Sequence, residues 1–403
     1  HQLLIERFID RRTTVLLKTI REKGKLNAEF NQNNDLLVEN QIIGRVEGLN
    51  FVFNDTESSV EKKRLLLIAK DIVISKIKNI VDQLYETSDS EFSINNLGEI
   101  IWQKNIIGIL VKGNLIYKPI VTPIISDIIP ASIVKKLETR IQYFTNNYIK
   151  QNFSSLFLII DDKEIVGISA GLVFIISEHL GVLSRGRVLK EVKSLDQDCR
   201  AKFRKYGFRF GQYSIYHPLF LKPEPTRLRM TLWNIFNQVE KIIDPPLPGL
   251  VSIPIQNGVD NTYYEIAGFK NLGSRAIRID MLERLADLIR SEDTKKGFKV
   301  TAEMLSITGL SFIQLRDILE NLGYKSNNIP LPDNKTLDSE NENDLEIIKA
   351  NYKDANLDLD ETSQNQIIFK FDYNKMKRKN IFAKRPKNKS SHTRSLDNKS
   401  KNN

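Results

Sequence analysis

One pattern in the first third of this chain narrows its fold more than any other, because it occurs twice. Leu36-Leu37 and Ile42-Ile43-Gly44 recur 64 residues later as Ile100-Ile101 and Ile106-Ile107-Gly108. At the same spacing Phe51-Val52-Phe53 is matched by Leu115-Ile116-Tyr117, and only the second glycine slips, Gly48 against Gly113. Short β-type runs separated by turn pairs, Glu39-Asn40 and Lys104-Asn105, describe a small antiparallel meander. Each copy is followed by apolar residues stepping by three and four, the spacing of one helix face. In the first these are Leu66, Ala69, Val73, Ile77, Ile80 and Leu84; in the second, Val134, Leu137, Ile141, Phe144 and Tyr148. The sequence therefore predicts a duplicated β-meander-plus-helix unit over residues 24–155. Two unrelated Ile-rich hairpins would give similar strings over so short a length.

Residues 1–23 read as an amphipathic helix, with Leu4, Phe8, Val15 and Ile20 near one side and Arg7, Arg11 and Arg12 among the rest. The chain opens on His1 inside this pattern, which leads us to expect native sequence upstream. No secretory signal pattern is visible there. Residues 156–298 are mainly helical with short strands: one or two strands at 207–221, a helix opened by Pro223 and Pro225, and strands at 250–255 and 276–279. A helix with Leu282, Leu285 and Ile289 as its core face follows. The thirteen-residue uncharged run 165–177 falls short of the roughly 20 residues a membrane span needs, so it is expected to be a buried helix. Residues 299–326 have helical-hairpin proportions. Residues 327–403 are expected to be disordered, with a strand near 366–371. The fold class this predicts is α+β, mainly helical.

Composition adds limits. The single cysteine, Cys199, and four scattered histidines exclude a disulfide framework and a Cys-rich zinc site, and they suit a reducing cytoplasm. The net charge of +10 is unevenly spread. Residues 372–403 hold eleven Lys and Arg against two Asp, a net of +9, and residues 331–371 hold ten acids against four bases, a net of −6. The remaining +7 belongs to residues 1–330. A tail containing Lys377, Arg378, Lys379, Lys384, Arg385 and Lys387 reads as an electrostatic arm for nucleic acid, or as a solubilising tail, with the acidic stretch competing for it.

Catalytic motifs are missing. The Gly24-Lys25 pair is followed by Leu26 and has Thr19 where the first glycine of a phosphate loop belongs. Asp360-Glu361 lies in a polar segment rather than on a buried strand. No nucleophile elbow or metalloprotease helix occurs. His217, between Tyr216 and Pro218, reads as a structural hydrogen-bonding residue rather than a catalytic base.

Between residues 200 and 229, bases alternate with aromatics. Arg204, Lys205, Arg209, Lys222, Arg227 and Arg229 are interleaved with Phe203, Tyr206, Phe208, Phe210, Tyr213 and Tyr216. Cations for phosphates beside rings for bases are what single-strand binding requires. An ordinary solvated helix face followed by a core strand would look the same. Residues 301–324 give a short helix through Met304 and Leu305, a turn at Gly309, and a helix through Phe312, Leu315, Ile318, Leu319 and Leu322. Thr301 is the expected N-cap and Gly323 the stop. The second helix offers Ser311, Gln314 and Arg316 near its start but also Asp317 and Glu320, which repel phosphate. A packing hairpin is favoured over a helix-turn-helix DNA reader.

Six strings, in order over about 320 residues, resemble the C-terminal region of bacterial superfamily 2 helicases related to the RNA helicase of the mitochondrial degradosome. They are IERFIDRRTTVL (5–16), ENQIIGRVEGLNFVF (39–53), LDQDCRAKFRKYGFRFGQY (195–213), LKPEPTRLRMTLW (221–233), RIDMLERLADLIR (278–290) and the hairpin at 304–324. The resemblance implies an accessory region that guides or clamps nucleic acid, RNA above DNA. The ATPase core, with its ATP and Mg sites, would lie upstream of this chain, so no catalytic residue transfers. The expected partners are single-stranded or structured RNA, with the helicase core or a ribonuclease as protein partner and no membrane. The other readings are an interaction scaffold docking a helicase core or another protein, and a helix-turn-helix DNA binder.

Overall fold

The computed structural model describes residues 28–38, 41–53, 59–292, 296–326 and 367–372. The chain is α+β and mainly helical, with small antiparallel sheets. It divides into two compact units, one of residues 1–270 with 278–283, the other of residues 271–277 with 284–403.

The repeat is real at the level of single hydrogen bonds. Strands β1 (Ala28–Phe30), β2 (Asp35–Val38), β3 (Gln41–Glu47) and β4 (Asn50–Phe53) form one four-stranded meander. Strands β5 (Phe92–Ile94), β6 (Glu99–Trp102), β7 (Asn105–Leu115) and β8 (Lys118–Pro123) form the second. In the first turn of each, an asparagine side-chain oxygen accepts from backbone N–H groups two and four residues on. Asn31 accepts from Asn33 and Asp35 at 2.9 and 2.8 Å, and Asn95 from Leu97 and Glu99 at 3.0 and 2.9 Å. The left-handed turn residue is Asn34 in one copy and Gly98 in the other.

A bulge also repeats. Leu36 pairs with Gly44 and Leu37 with Ile42, skipping Ile43; Ile100 pairs with Gly108 and Ile101 with Ile106, skipping Ile107. The skipped isoleucines are buried. The glycine beside each has no room for a side chain: a Cβ on Gly44 would collide with the Val52 carbonyl, and one on Gly108 would lie 2.8 Å from Ile141 Cδ1. The Ile-Ile-Gly string is thus a bulge signature.

One part of the expected alignment fails. Gly44 pairs with Phe53, but Gly108 pairs with Pro123, six residues beyond a constant spacing of 64. The counterpart of Phe51-Val52-Phe53 is therefore residues 121–123. Leu115-Ile116-Tyr117 belongs to a longer hairpin in the second copy, closed by the Leu115 to Lys118 pair. Gly113 consequently has no counterpart in Gly48, which sits in the tight β3–β4 turn.

Helix α1 (Ser59–Glu86) follows the first meander and α2 (Ala131–Asn152) the second. α1 buries Val73, Ile77, Val81 and Leu84; Ile80 is half-buried, and Leu66 and Ala69 lie outside the described side chains. α2 buries Leu137, Ile141, Phe144 and Ile149, with Val134 and Tyr148 half-buried. Phe144 packs on Phe92 at 5.1 Å between ring centroids. Gln142 on the same helix receives the Val121 N–H at 3.0 Å and donates to the Pro119 carbonyl at 3.1 Å, which satisfies the edge strand β8.

Helices α3 (Ser154–Ile160) and α4 (Ile168–Glu178) continue the first unit. The uncharged run expected to form a buried helix buries only one face. Leu172, Val173 and Ile176 point inward, while Val166, Ile168 and Phe174 are 69%, 53% and 52% exposed. Strand β9 (Val182–Ser184), helices α5 (Leu189–Ser194) and α6 (Gln197–Lys205), and strands β10 (Arg209–Phe210) and β11 (Ser214–Tyr216) come next, with β11 central in the order β10-β11-β9. Helix α7 (Pro223–Asn237) opens on proline as predicted. β12 (Ser252–Pro254), α8 (Asn261–Ile266), β13 (Phe269–Asn271), β14 (Arg275–Arg278) and α9 (Ile279–Ser291) lead into the second unit.

The second unit contains α10 (Ala302–Thr308) and α11 (Phe312–Leu322), with Thr301 capping the first and Gly323 in the left-handed conformation after the second. Strand β15 (Tyr324–Ser326) pairs with β16 (Phe369–Phe371), so the strand expected near 366–371 is present. Phe298, Tyr324, Phe369 and Phe371 form a ring cluster with centroid separations of 5.2 to 5.8 Å. The helix expected at 1–23, the acidic stretch at 331–366 and the basic tail from 373 lie outside the described residues.

Candidate nucleic-acid interface

Helix α6 starts at Asp196, whose carboxylate accepts the Cys199 N–H at 2.7 Å, and ends in Lys202, Arg204 and Lys205. Carboxylate at the N-terminus and cations at the C-terminus both suit the helix dipole. Phe203 is completely buried, whereas Arg204 and Lys205 are exposed. Lys202 is half-buried and pairs with Glu164 at 3.2 Å. Arg209 projects from β10 and is exposed, as is Lys222 at the start of α7. Among the described residues no carboxylate lies in ion-pair range of Arg204, Lys205, Arg209 or Lys222.

A chain of rings holds these segments together. Phe203 meets Phe208 and Phe210 at 6.4 and 5.4 Å, Phe208 meets His217 at 5.4 Å, and His217 stacks on Phe220 at 4.4 Å. The aromatics expected to stack on bases are therefore mostly core. Phe203, Phe208 and Tyr216 are buried, and Tyr206, half-buried, donates its hydroxyl to Asp162 at 2.8 Å. Phe210 and Tyr213 remain half-exposed. His217 makes a hydrogen bond within the fold: its Nδ1 accepts the Leu219 N–H at 3.2 Å, and burial pushes its pKa below the usual value.

Two of the six folded-region cations are not available to phosphate. Arg229 is fully buried, donating to the carbonyls of Ile266 at 2.5 Å and Phe220 at 2.8 Å and to Thr226 Oγ1 at 3.3 Å; desolvation pushes its pKa down to about 9. Arg227 is half-buried, donating to the Ile94 carbonyl at 2.6 Å and the Tyr148 hydroxyl at 3.2 Å while pairing with Glu224. Burial and the Glu224 carboxylate push the Tyr148 phenol up to about 12. Both arginines hold α7 in place. The alternation of bases and rings cannot tell a cation that crosslinks backbone carbonyls from one that faces water. The tail cations Lys377, Arg378, Lys379, Lys384, Arg385 and Lys387 lie outside the described residues.

Glu283, absent from the candidates the sequence offered, is 7% exposed and receives the N–H groups of Gln212, Tyr213 and Ser214 at 2.5, 2.8 and 2.8 Å. Its partners lie about 70 residues earlier, and no local signal marks it. Gly211 is glycine because a Cβ there would occupy the Glu283 carboxylate.

In the hairpin, Ser311 and Gln314 are engaged with each other in a capping box, and Arg316 pairs with Glu320 at 3.1 Å. The polar residues that would have read a groove are held by the hairpin itself. Cys199 is a free, half-buried thiol 3.4 Å from Ser169 Oγ. Among the described residues no group of three or more His, Cys, Asp and Glu could hold a metal, and no helix is long and apolar enough to cross a membrane. Compared with known proteins, the chain matches no family model, no curated protein and no solved structure.

Proposed function

We propose that this chain is the C-terminal, nucleic-acid-binding accessory portion of a cytoplasmic ATP-dependent helicase that acts on RNA, with its ATP and Mg sites in a motor core outside this sequence. The observation that carries the reading is the exposed set Arg204, Lys205, Arg209 and Lys222, free of carboxylate partners within ion-pair range and presented on elements fixed by buried rings. The six ordered strings that resemble the helicase family's C-terminal region supply the context. Cations presented on a rigid surface favour phosphate over any one base sequence, so binding is sequence-tolerant and steeply salt-dependent. Filter binding of single-stranded RNA by the full chain at low salt is the test. Retention that falls on replacing Arg204, Lys205 and Arg209 together by Gln supports the reading; absence of retention by the unaltered chain ends it.

A second reading, a scaffold that docks a helicase core or another protein, draws on the exposed apolar residues Val166, Ile168 and Phe174. Co-purification with a separately supplied RecA-like subunit, without RNA binding, would favour it. The helix-turn-helix DNA reading is the weakest, since the capping box engages Ser311 and Gln314.

A further inference from the structure

Beside Lys222 the first unit contains a cleft of about 610 Å³, within the range of roughly 300–1,000 Å³ that holds small molecules. By contrast, the cavity beside Lys270, at about 20 Å³, has room for little more than one water. One wall of the cleft is the loop of residues 244–250, Asp-Pro-Pro-Leu-Pro-Gly-Leu, which faces the start of α7. Proline rings present flat apolar surface and no N–H, and Leu247 is 73% exposed. The loop is tied down at Asp244, whose carbonyl accepts from the Tyr263 hydroxyl at 2.9 Å and whose Oδ1 accepts from Asn96 Nδ2 at 3.2 Å.

This anchoring sets the chemistry of the cleft. With Oδ1 engaged, Asp244 keeps Oδ2 as an acceptor, and Asn96, having used its amide N–H, keeps its carbonyl oxygen. The polar edge therefore asks for a donor. Charges of both signs flank it: Glu224 and Arg227 line the cleft paired with each other, and Arg278 lines it and uses Nε and Nη2 on Asp280. Exposed Lys222, with no carboxylate in ion-pair range among the described residues, stands between the lining residues Leu221 and Pro223. Flat apolar walls, a paired acceptor edge and the exposed Lys222 ammonium beside them match a base with an exocyclic amine attached to a phosphate.

We infer that this cleft holds a single nucleotide whose base carries an exocyclic amine, in preference to uracil. The inference rests on the proposed nucleic-acid role and places a base-selective slot beside Lys222, one of the cations proposed to hold phosphate. Asp244 and Asn96 are the specificity residues, because uracil carries a carbonyl at the 4-position where cytosine carries an amine.

The test compares cytidine and uridine 5′-monophosphates, and short oligocytidylate and oligouridylate, on the full chain by ligand-observed NMR and fluorescence titration. Cytidylate should bind about tenfold more tightly than uridylate. Asp244→Asn, which turns an amide donor toward the base, and Asn96→Ala should each reduce that ratio to near one, with Asp244→Asn leaving the melting curve unchanged. A preference seen with mononucleotides and oligomers assigns the slot to a strand; one seen with mononucleotides alone assigns it to a free nucleotide. Either supports the cleft chemistry. Equal binding of the two bases, or a preference that survives both variants, overturns it. A preference that persists when the Arg204, Lys205 and Arg209 triple variant leaves strand affinity unchanged keeps the slot and removes the phosphate surface, so the two ideas fail separately.

Discussion

Arg229 and Arg204 lie in the same basic run yet do opposite things. Arg229 satisfies two backbone carbonyls and a threonine hydroxyl where no water reaches. Arg229→Leu removes all three donors and should destabilise the chain by about 3 kcal/mol in urea melts, with no direct effect on the proposed RNA retention. Arg204→Gln should shift stability by less than about 0.5 kcal/mol while weakening RNA retention. His217 adds a pH signature. Burial lowers its folded pKa, so the unfolded chain takes up a proton more readily than the folded one. The stability it contributes is present above the unfolded value of about 6.5 and is lost as pH falls below it. Urea melts at pH 7.5 and 5.5, values bracketing that range, should differ for the parent chain, and His217→Asn should flatten the difference. At this scale the sequence revealed which residues were chemically apt but not which faced water. Burial of Arg229 depends on Phe220 and Ile266, and nothing in the local pattern marks that pairing.

The duplicated meander was legible because the repeated Leu-Leu and Ile-Ile-Gly strings that form its strands and bulge are local; the Asn side chains that close its first turns were not among the residues that showed the repeat. The register of its last strand was not legible. A hairpin lengthens without changing the alternation of apolar residues, so constant spacing placed Leu115-Ile116-Tyr117 where residues 121–123 belong. The two bulge glycines differ in what surrounds them, and this gives a comparison within one chain. A Cβ at Gly44 meets the fixed Val52 carbonyl, whereas at Gly108 the nearest atom is the movable end of Ile141. Gly44→Ala should therefore cost more than Gly108→Ala, the larger loss being on the order of 2–3 kcal/mol, as for overpacked cores. Equal losses in denaturant melts would count against the bulge account. The α4 run shows the opposite error: lack of charge suggested burial, but half of that helix surface remains outside.

For the molecule as a whole, the net charge of +10 has three sources, and only one is fixed by the fold described. Four exposed cations between residues 204 and 222 sit on elements locked by buried rings, while the +9 of residues 372–403 contributes from the terminal stretch. Composition alone revealed the tail. It took the fold to separate the four outward cations from the two that hold α7. The two contributions separate by salt dependence, since each phosphate contact by a single strand adds about 0.7 to the slope of log affinity against log salt. The most direct measurement is that slope for single-stranded RNA, compared between the parent chain and a variant with Arg204, Lys205, Arg209 and Lys222 all replaced by Gln. A slope shallower by about 3 in the variant is the predicted result; an unchanged slope would show that the folded surface touches no phosphate and would contradict the account.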